Sequence, residues 1–565
     1  MGIQTAEPGL GRDLPPSYQI GQIDQFWVGR AQAMERRQIE AELRLVTRHA
    51  YWYVQKDRAL SDSALQDVSR EFERRIYPGV RRLVGSEPFP GIDNDPRITI
   101  LHGDVPGVAG YVSSSDTYPR SVNQYSNERE MVYLNIDSVQ PGSASYLGTL
   151  AHELTHLVHG GVAVAADTWI KEGLADLVAG LVLESRAASE AAPLPETDVA
   201  LTSWAAATDQ DLAVAAHYRL SELFLRYSLD RFGRPFISWL SGDEGGLTAW
   251  DQVLATASVP SGFSELFGQW VVANVVGART GPDVYPYQSR AVDPPALRGL
   301  TRGDVIADSV AQFGVDYFEL DDPGDAAVRF HGEHAVASLS GVVEPSAVWV
   351  PARADGTASH LVCSALGGPG LTTRLAYRVW FDIEPDYDFA YVSVSRDGGR
   401  TWELLRTPQM TQENTTGGNL GAGYTGRSAR ASAAAWIEQS IDIDVSPDEP
   451  LLVRFSYITD DAVTREGIAV DGVRLVDPGR GAERSCADWT VRGWAHVGAT
   501  LPQRWLVQVI EFAGDGVRVQ MVPVDDEGMG SWSAAGRHVD RVVLAVSAVT
   551  PATLQRAPYE ISRQR

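Results

Sequence analysis

Two histidines one helical turn apart, with a glutamate beside the first, constrain this chain more than any other feature. They are His152, Glu153 and His156, within the run 151–160. On a helix, positions i and i+4 project from one face, so both imidazoles can approach a common ion. Imidazole nitrogens suit Zn²⁺ at about 2.0–2.1 Å. We therefore expect His152 and His156 to bind zinc and Glu153 to act as a general base on water held by the metal.

A catalytic zinc site needs a third protein ligand. A third histidine would require Gly and His where this chain has His159 and Val162. A glutamate on a following helix fits, because fifteen residues lie between His156 and Glu172. Asp176 lies one helical turn after Glu172, and we expect it to accept the free ring N–H of a zinc-bound histidine.

These segments resemble the thermolysin-like glutamate zincins, and more closely the bacterial group with Trp-Leu-Asn-Glu-Gly-Leu-Ala/Ser-Glu after the histidine pair. The chain reads Trp-Ile-Lys-Glu-Gly-Leu-Ala-Asp over 169–176, so Lys171 and Asp176 depart from that pattern without removing a ligand. The resemblance implies an α+β thermolysin-like zinc peptidase domain over 21–290, with an N-terminal sheet, a helical lobe and the metal between them.

In related zincins a Tyr or His beyond the third ligand stabilises the oxyanion, and the resemblance implies this role for Tyr218, or secondly for His217. The alternative interpretation is a core aromatic residue on an amphipathic helix. The same resemblance suggests that 107–113 forms the strand at the cleft edge, where an extended peptide substrate would pair by β-augmentation. An ordinary edge strand is the alternative here.

The N-terminal half predicts a mixture of strands and helices. Strands are expected at 26–28, 39–47 with 50–54 continuing it, 97–101 and 131–136. A helix with an apolar stripe from Leu65 to Ile76 is expected to end before Pro78. Further helices are expected after Ser143 up to 160–161, at 215–227 and at 264–274, whereas residues 1–20 read as a disordered lead-in.

Composition excludes several function classes. A net charge of −25 and the absence of a Lys/Arg cluster argue against nucleic-acid binding. No apolar run reaches the roughly 18–20 residues of a membrane span, and the N-terminus shows no signal peptide. At 565 residues the chain is long enough for three or four domains.

After a Pro-rich linker at 282–295, short alternating strands and Asp-Gly turns predict an all-β half. The clearest strand and hairpin, at 386–402, and the strand at 467–473 resemble the jelly-roll module of immune inhibitor A-like metallopeptidases. We expect this module over 341–480 to be inserted into a discontinuous β-sandwich of 300–340 plus 484–565.

Acidic side chains alternate along this module and could hold Ca²⁺ through oxygen ligands, although a solvated strand face is the alternative. They are Asp382, Glu384, Asp386, Asp388, Asp460, Asp461 and Asp471. Cys363 and Cys486 form a disulfide if the protein is secreted, or remain as two buried thiols.

These patterns favour a secreted zinc endopeptidase, expected to be a monomer, that cleaves protein or peptide substrates. The constellation itself specifies only metal-assisted hydrolysis, and peptide-bond cleavage follows from the resemblance. The alternative is a secreted adhesion or glycan-binding protein whose β domains carry the main role.

Overall fold

The structure is a computed structural model. It describes residues 18–30, 33–105, 107–160, 167–184, 194, 196–204, 211–241, 250–251, 254–255, 262–282, 284–289, 291–342, 347–366, 372–429, 433–445, 450–460, 463, 465–477, 481, 483–486, 488–534 and 538–564. The expected lead-in lies almost wholly outside the described residues, as do Gly161 and Asp461. The described chain has several domains, with abundant β-sheet and a smaller helical part.

The N-terminal sheet is mixed and has helices on one face. Its strands are β1 (Ile23–Arg30), β2 (Ala33–Val46), β3 (Ala50–Gln55), β4 (Ile98–Gly103), β5 (Gly110–Tyr111) and β6 (Met131–Asn135). They lie in the order β1-β2-β3-β4-β6-β5, where β3, β4 and β6 are parallel and β5 is antiparallel at the edge. Residues 50–55 therefore do not continue the preceding strand, because the chain turns at 47–49 and β3 pairs antiparallel with β2.

Two α-helices lie between β3 and β4 in the chain, and the other α-helices of the described residues follow β6. They are α1 (Asp62–Glu71), α2 (Tyr77–Leu83), α3 (Ala144–Gly160), α4 (Thr168–Leu183), α5 (Asp211–Phe232), α6 (Pro235–Ser241) and α7 (Gly262–Val276). A π-helical turn, Phe72–Ile76, joins α1 to α2. The prediction that this helix ends before Pro78 is wrong, because the wider turn places Pro78 at the start of α2, where its missing N–H costs no hydrogen bond.

From residue 298 onward the regular structure of the described residues is β-strand, apart from one short 3-10 helix at Pro323–Asp325. The strands are β7 (Arg298–Leu300), β8 (Val305–Val310), β9 (Asp316–Leu320), β10 (Ala327–Gly332), β11 (Ala335–Ala337), β12 (Ala347–Pro351), β13 (Ala358–Leu366), β14 (Thr372–Asp382), β15 (Phe389–Ser395), β16 (Glu403–Leu404), β17 (Ile437–Asp444), β18 (Pro450–Ile458), β19 (Gly467–Val476), β20 (Glu483–Ser485), β21 (Asp488–Arg492), β22 (Trp494–Gly498), β23 (Thr500–Pro502), β24 (Trp505–Ala513), β25 (Gly516–Met521), β26 (Met529–Ser533), β27 (Arg541–Ala548) and β28 (Ala557–Arg563).

These strands form two sandwiches. The first sandwich combines sheets β25-β24-β27-β9-β7 and β26-β10-β28-β8, and the second combines β17-β14-β19-β12-β22 and β16-β15-β18-β13-β21. Because β9 pairs with β27 and β10 with β26, the first sandwich joins residues on both sides of the second. The two-stranded sheet β11-β23 lies where the chain passes between them.

The strand predicted to begin at Asp386 begins instead at Phe389. Asp386 has a backbone φ of 66°, which is incompatible with an extended strand and places it in a turn. β15 then returns through the Gly398-Gly399 turn to pair with β16, as the hairpin pattern predicted. A disulfide links Cys363 of β13 to Cys486 across a Cα–Cα distance of 5.7 Å.

Candidate metal centre

The histidine pair lies on α3, which begins at a serine cap and packs against the N-terminal sheet. Ser143 Oγ accepts a hydrogen bond from the Tyr146 N–H at 3.1 Å, satisfying one of the free amides of the first turn. Tyr146 in turn donates to Nε2 of the buried His102 on β4 at 2.7 Å, while the Nδ1–H of His102 donates to the Tyr53 carbonyl. This contact fixes the start of α3 on the sheet.

Three ligand atoms converge between α3 and α4. Nε2 of His152 and Nε2 of His156 are 2.9 Å apart, and Glu172 Oε2 lies 3.2 Å from the first and 3.3 Å from the second. Tetrahedral bonds of about 2.0–2.1 Å place neighbouring ligand atoms about 3.3 Å apart, so this triangle has the dimensions of a zinc site. No other His, Cys, Asp or Glu of the described residues joins this group.

The charges around the triangle favour a cation. Burial opposes protonation of His152, but hydrogen bonds to Asp176 and Glu172 raise its pKa well above the ordinary value. Burial alone would raise the pKa of Glu172, whereas the field of His156 and hydrogen bonds from both histidines hold it below its usual range. The donor set and its negative field therefore fit a divalent ion that binds nitrogen and oxygen ligands.

Asp176 lies behind the triangle. Its Oδ1 is 2.8 Å from Nδ1 of His152, so the carboxylate accepts the ring N–H on the side opposite Nε2. This bond selects the tautomer in which Nε2 carries a free lone pair for a metal. The structure brings Asp176 to His152, and its role toward a bound metal stays a prediction.

Glu153 lies beside the metal triangle and against the sheet edge. It is only 6 % exposed, and burial raises the pKa of its carboxyl. A Cβ at Gly110 of β5 would come within 3.0 Å of Glu153 Cγ and 2.8 Å of the Tyr133 carbonyl oxygen. Only glycine therefore allows the edge strand to approach α3 this closely.

Tyr218 faces the site and His217 does not. The Tyr218 ring lies 6.2 Å from the His152 ring, and burial together with the carboxylate of Glu172, to which it hydrogen-bonds, raises the pKa of its hydroxyl. His217 instead packs against Trp204 at 5.3 Å, and burial lowers its pKa to about 4. Trp204 also contacts the Tyr218 ring at 4.8 Å, a contact that no local sequence pattern indicated.

The acidic residues proposed for calcium do not form a single group. Glu384, Asp388 and Asp460 place carboxylate oxygens within 4.8 Å of one another, whereas Asp386 lies outside that group. Asp382 forms ion pairs with two arginines, Arg427 and Arg465. Asp471 pairs with Arg378 on the neighbouring strand. The calcium expectation stays a prediction, with Glu384, Asp388 and Asp460 as the residues able to share an ion.

Comparison with known proteins gives one family match, which lies in the β half. Residues 367–499 match the family described as "Immune inhibitor A-like, MAM domain". Bacillopeptidase F of Bacillus subtilis (strain 168) is 24 % identical over 107 residues, which cover 19 % of this chain and 6 % of that protein. The solved structure titled "PbXyn10C CBM APO" is 15 % identical, covers 32 % of this chain and 91 % of its own, and has a TM-score of 0.16, which carries no argument. The first two matches relate this chain to immune inhibitor A-like and peptidase-related proteins.

Proposed function

We propose that this protein is a zinc-dependent endopeptidase with an α+β thermolysin-like catalytic unit. The observation that carries the proposal is the triangle of ligand atoms from His152, His156 and Glu172, with Glu153 beside it and Tyr218 facing it. A structural cluster would not need a general base and a phenol next to three converging ligands. The match of residues 367–499 to an immune inhibitor A-like domain family supports the peptidase assignment.

Zinc bound by these residues would supply a Lewis acid that polarises a scissile carbonyl and makes water a better nucleophile near neutral pH. Glu153 would take the proton from the attacking water and deliver it to the leaving amine. Its buried carboxylate has a raised pKa, which makes it a stronger base than an exposed glutamate. Tyr218 would donate its hydroxyl proton in a hydrogen bond to the oxyanion of the tetrahedral intermediate.

The edge position of β5 favours a polypeptide substrate. One side of β5 pairs with β6, and the described residues include no strand on its other side. An extended peptide could therefore add to this edge within reach of Glu153, which lies against Gly110.

The disulfide between Cys363 and Cys486 favours an extracellular location. No helix of the described residues is long and apolar enough to cross a membrane.

The deciding experiment is hydrolysis of casein by wild-type protein and by Glu153→Gln. We expect Glu153→Gln to lose activity by at least about a hundredfold, as loss of a general base does, while its zinc content stays the same. Removal of zinc by a chelator should abolish wild-type activity and re-addition should restore it. Glu128→Gln, a similar change outside the metal centre, is the control. Hydrolysis that persists in Glu153→Gln would rule out the proposed mechanism.

A further inference from the structure

The loop between β12 and β13 of the second sandwich contacts the first turn of α4. Asp355 in this loop accepts a hydrogen bond from the Thr168 hydroxyl. The two residues are 1 % and 3 % exposed, so the contact is shielded from water. Thr168 is the first residue of α4, one helical turn before Glu172. A residue of the β half thus touches the helix that supplies the third candidate zinc ligand.

The second sandwich fixes this loop from its own side. The Ala352 N–H donates to the Gly493 carbonyl at 2.8 Å, and the Thr459 hydroxyl donates to the Ala354 carbonyl at 2.8 Å. The Thr357 N–H donates to Thr459 Oγ1 at 3.0 Å. Residues on both sides of Asp355 are thus hydrogen-bonded to residues that adjoin strands β18, β21 and β22, so the second sandwich fixes the loop through contacts that do not involve α4.

Electrostatics at this contact also favour a fixed α4. The N-terminus of a helix carries a partial positive charge, which a buried carboxylate such as Asp355 stabilises. Asp167 precedes the helix with extended backbone, and its side chain lies in the field of Arg353 from the same loop. Arg353 of the second sandwich therefore places a positive charge near Asp167, and Asp355 places a carboxylate at Thr168, the first residue of α4.

The position of α4 decides the geometry of the metal triangle. His152 and His156 move with α3, which His102 and Tyr146 fix on the N-terminal sheet. Glu172 moves with α4, so its distances to the two histidine nitrogens depend on how the two helices are placed relative to each other. Any contact that fixes the start of α4 therefore acts on two of the three edges of the triangle.

We propose that Asp355 is a positioning residue for the metal centre, through which the second sandwich sets the place of Glu172. This inference rests on the proposed function only in requiring that zinc binds at the triangle. The second sandwich is then part of the metal-binding machinery as well as a separate β module. Its removal or displacement should weaken zinc binding although it contributes no ligand.

The test measures zinc affinity by competition with a chromogenic chelator in four full-length variants. Thr168→Val removes the hydroxyl and keeps the shape, Thr168→Ser keeps the hydroxyl, Asp355→Ala removes the acceptor, and the fourth combines Thr168→Val with Asp355→Ala. We expect zinc affinity to fall by about tenfold in Thr168→Val and Asp355→Ala, as for residues that orient ligands. The zinc affinity of the double variant should be about the same as that of either single variant, because both substitutions remove the same contact. Thr168→Ser should stay within about twofold of wild type.

The matched control is Asp442→Ala, which removes an exposed carboxylate of the same sandwich that pairs with Arg374. Its zinc affinity should equal that of wild type. Thr168→Val with wild-type zinc affinity and a lowered thermal midpoint would overturn the positioning role, and so would additive losses in the double variant. A wild-type protein that binds no zinc would instead overturn the proposed function, which keeps the two failures distinct.

Discussion

At the scale of single residues, the orientation of neighbouring side chains on α5 distinguishes a candidate catalytic group from a core residue. Adjacent positions on a helix point about 100° apart, so His217 and Tyr218 cannot both face the metal centre. The packing of Trp204 against both rings fixes the rotation of α5 about its axis, and this rotation places Tyr218 beside His152. The sequence named both residues as candidates, and the tertiary contact separates them.

Tyr218→Phe should reduce kcat by about a hundredfold and leave KM nearly unchanged, because it removes a hydrogen bond made chiefly in the transition state. The phenylalanine ring keeps the packing against Trp204, so the thermal midpoint should hardly change. Steady-state kinetics on a peptide substrate measure the effect. Tyr227→Phe is the control on the same helix, since the Tyr227 ring packs against Tyr287 at 5.6 Å. Equal kcat in the two variants would contradict the role of Tyr218.

Glu130 should make folding stability depend on pH. Burial, together with the carboxylates of Asp93 and Glu87, raises the pKa of its carboxyl to about 7. The folded state therefore binds this proton more tightly than the unfolded state, in which the pKa is about 4.3. Its contribution to stability is complete below pH of about 4 and is lost as the pH rises to 7, by up to about 3 kcal/mol.

Glu130→Gln should accordingly flatten the decline of unfolding free energy between pH 5 and 7 and make the protein more stable than wild type at about pH 8. Denaturant titrations at a series of pH values measure this. Glu40→Gln changes a half-exposed glutamate paired with Lys56 and should keep the wild-type profile. A wild-type profile in Glu130→Gln would show that this carboxyl does not titrate differently in the folded state.

Among the elements around the candidate site, the approach of strand β5 to helix α3 depends on the absence of a side chain at Gly110. The sequence predicted a strand over 107–113, and the structure keeps only Gly110–Tyr111 in the ladder. The order of these seven residues cannot reveal that a neighbouring helix will approach the backbone. The missing side chain at Gly110 is what lets the strand edge and Glu153 come together.

Gly110→Ala should reduce kcat/KM by about tenfold to a hundredfold, because the new Cβ would displace either β5 or Glu153. The crowding involves Thr149 Cγ2 and the Tyr133 carbonyl oxygen, both 2.8 Å from the added carbon. Gly148→Ala on α3 is the control, since a Cβ there meets nothing within 4 Å. It should keep activity and gain about 0.5–1 kcal/mol of stability. Full activity in Gly110→Ala would show that this approach does not matter for catalysis.

At the scale of the whole molecule, the first sandwich shares a hydrophobic core with the helical lobe. Alternate residues of β9 face opposite ways: Tyr317 packs into the core that contains Trp270 of α7, and Phe318 packs between the sheets of the sandwich. Val543 and Leu544 of β27 divide in the same manner. The sheet is thus buried on both faces, which makes the sandwich part of the folding unit of the N-terminal half.

Tyr317→Ala should destabilise both halves together, by about 3–5 kcal/mol. The residue is buried, and its hydroxyl also donates to the Val271 carbonyl at 2.9 Å. Thermal unfolding followed by tryptophan fluorescence and by loss of casein hydrolysis should give one lowered midpoint for both. Val305→Ala, at a side chain that is 62 % exposed on β8, should leave the midpoint in place. Loss of structure in the sandwich alone would contradict a shared core.

The local patterns could be predicted from the amino-acid sequence: the i, i+4 histidine pair, the serine cap of α3, the carboxylates one turn apart on α4, and the alternation of the β strands. Each of these patterns depends only on the spacing of residues within one helix or strand, and that spacing can be read from the sequence. Three features follow from packing between elements: Tyr218 rather than His217 faces the candidate metal centre, the helix passes through Pro78, and Asp355 contacts Thr168. Such contacts join residues up to 187 positions apart. They depend on how whole elements rotate and pack against one another, and no spacing along the chain encodes that.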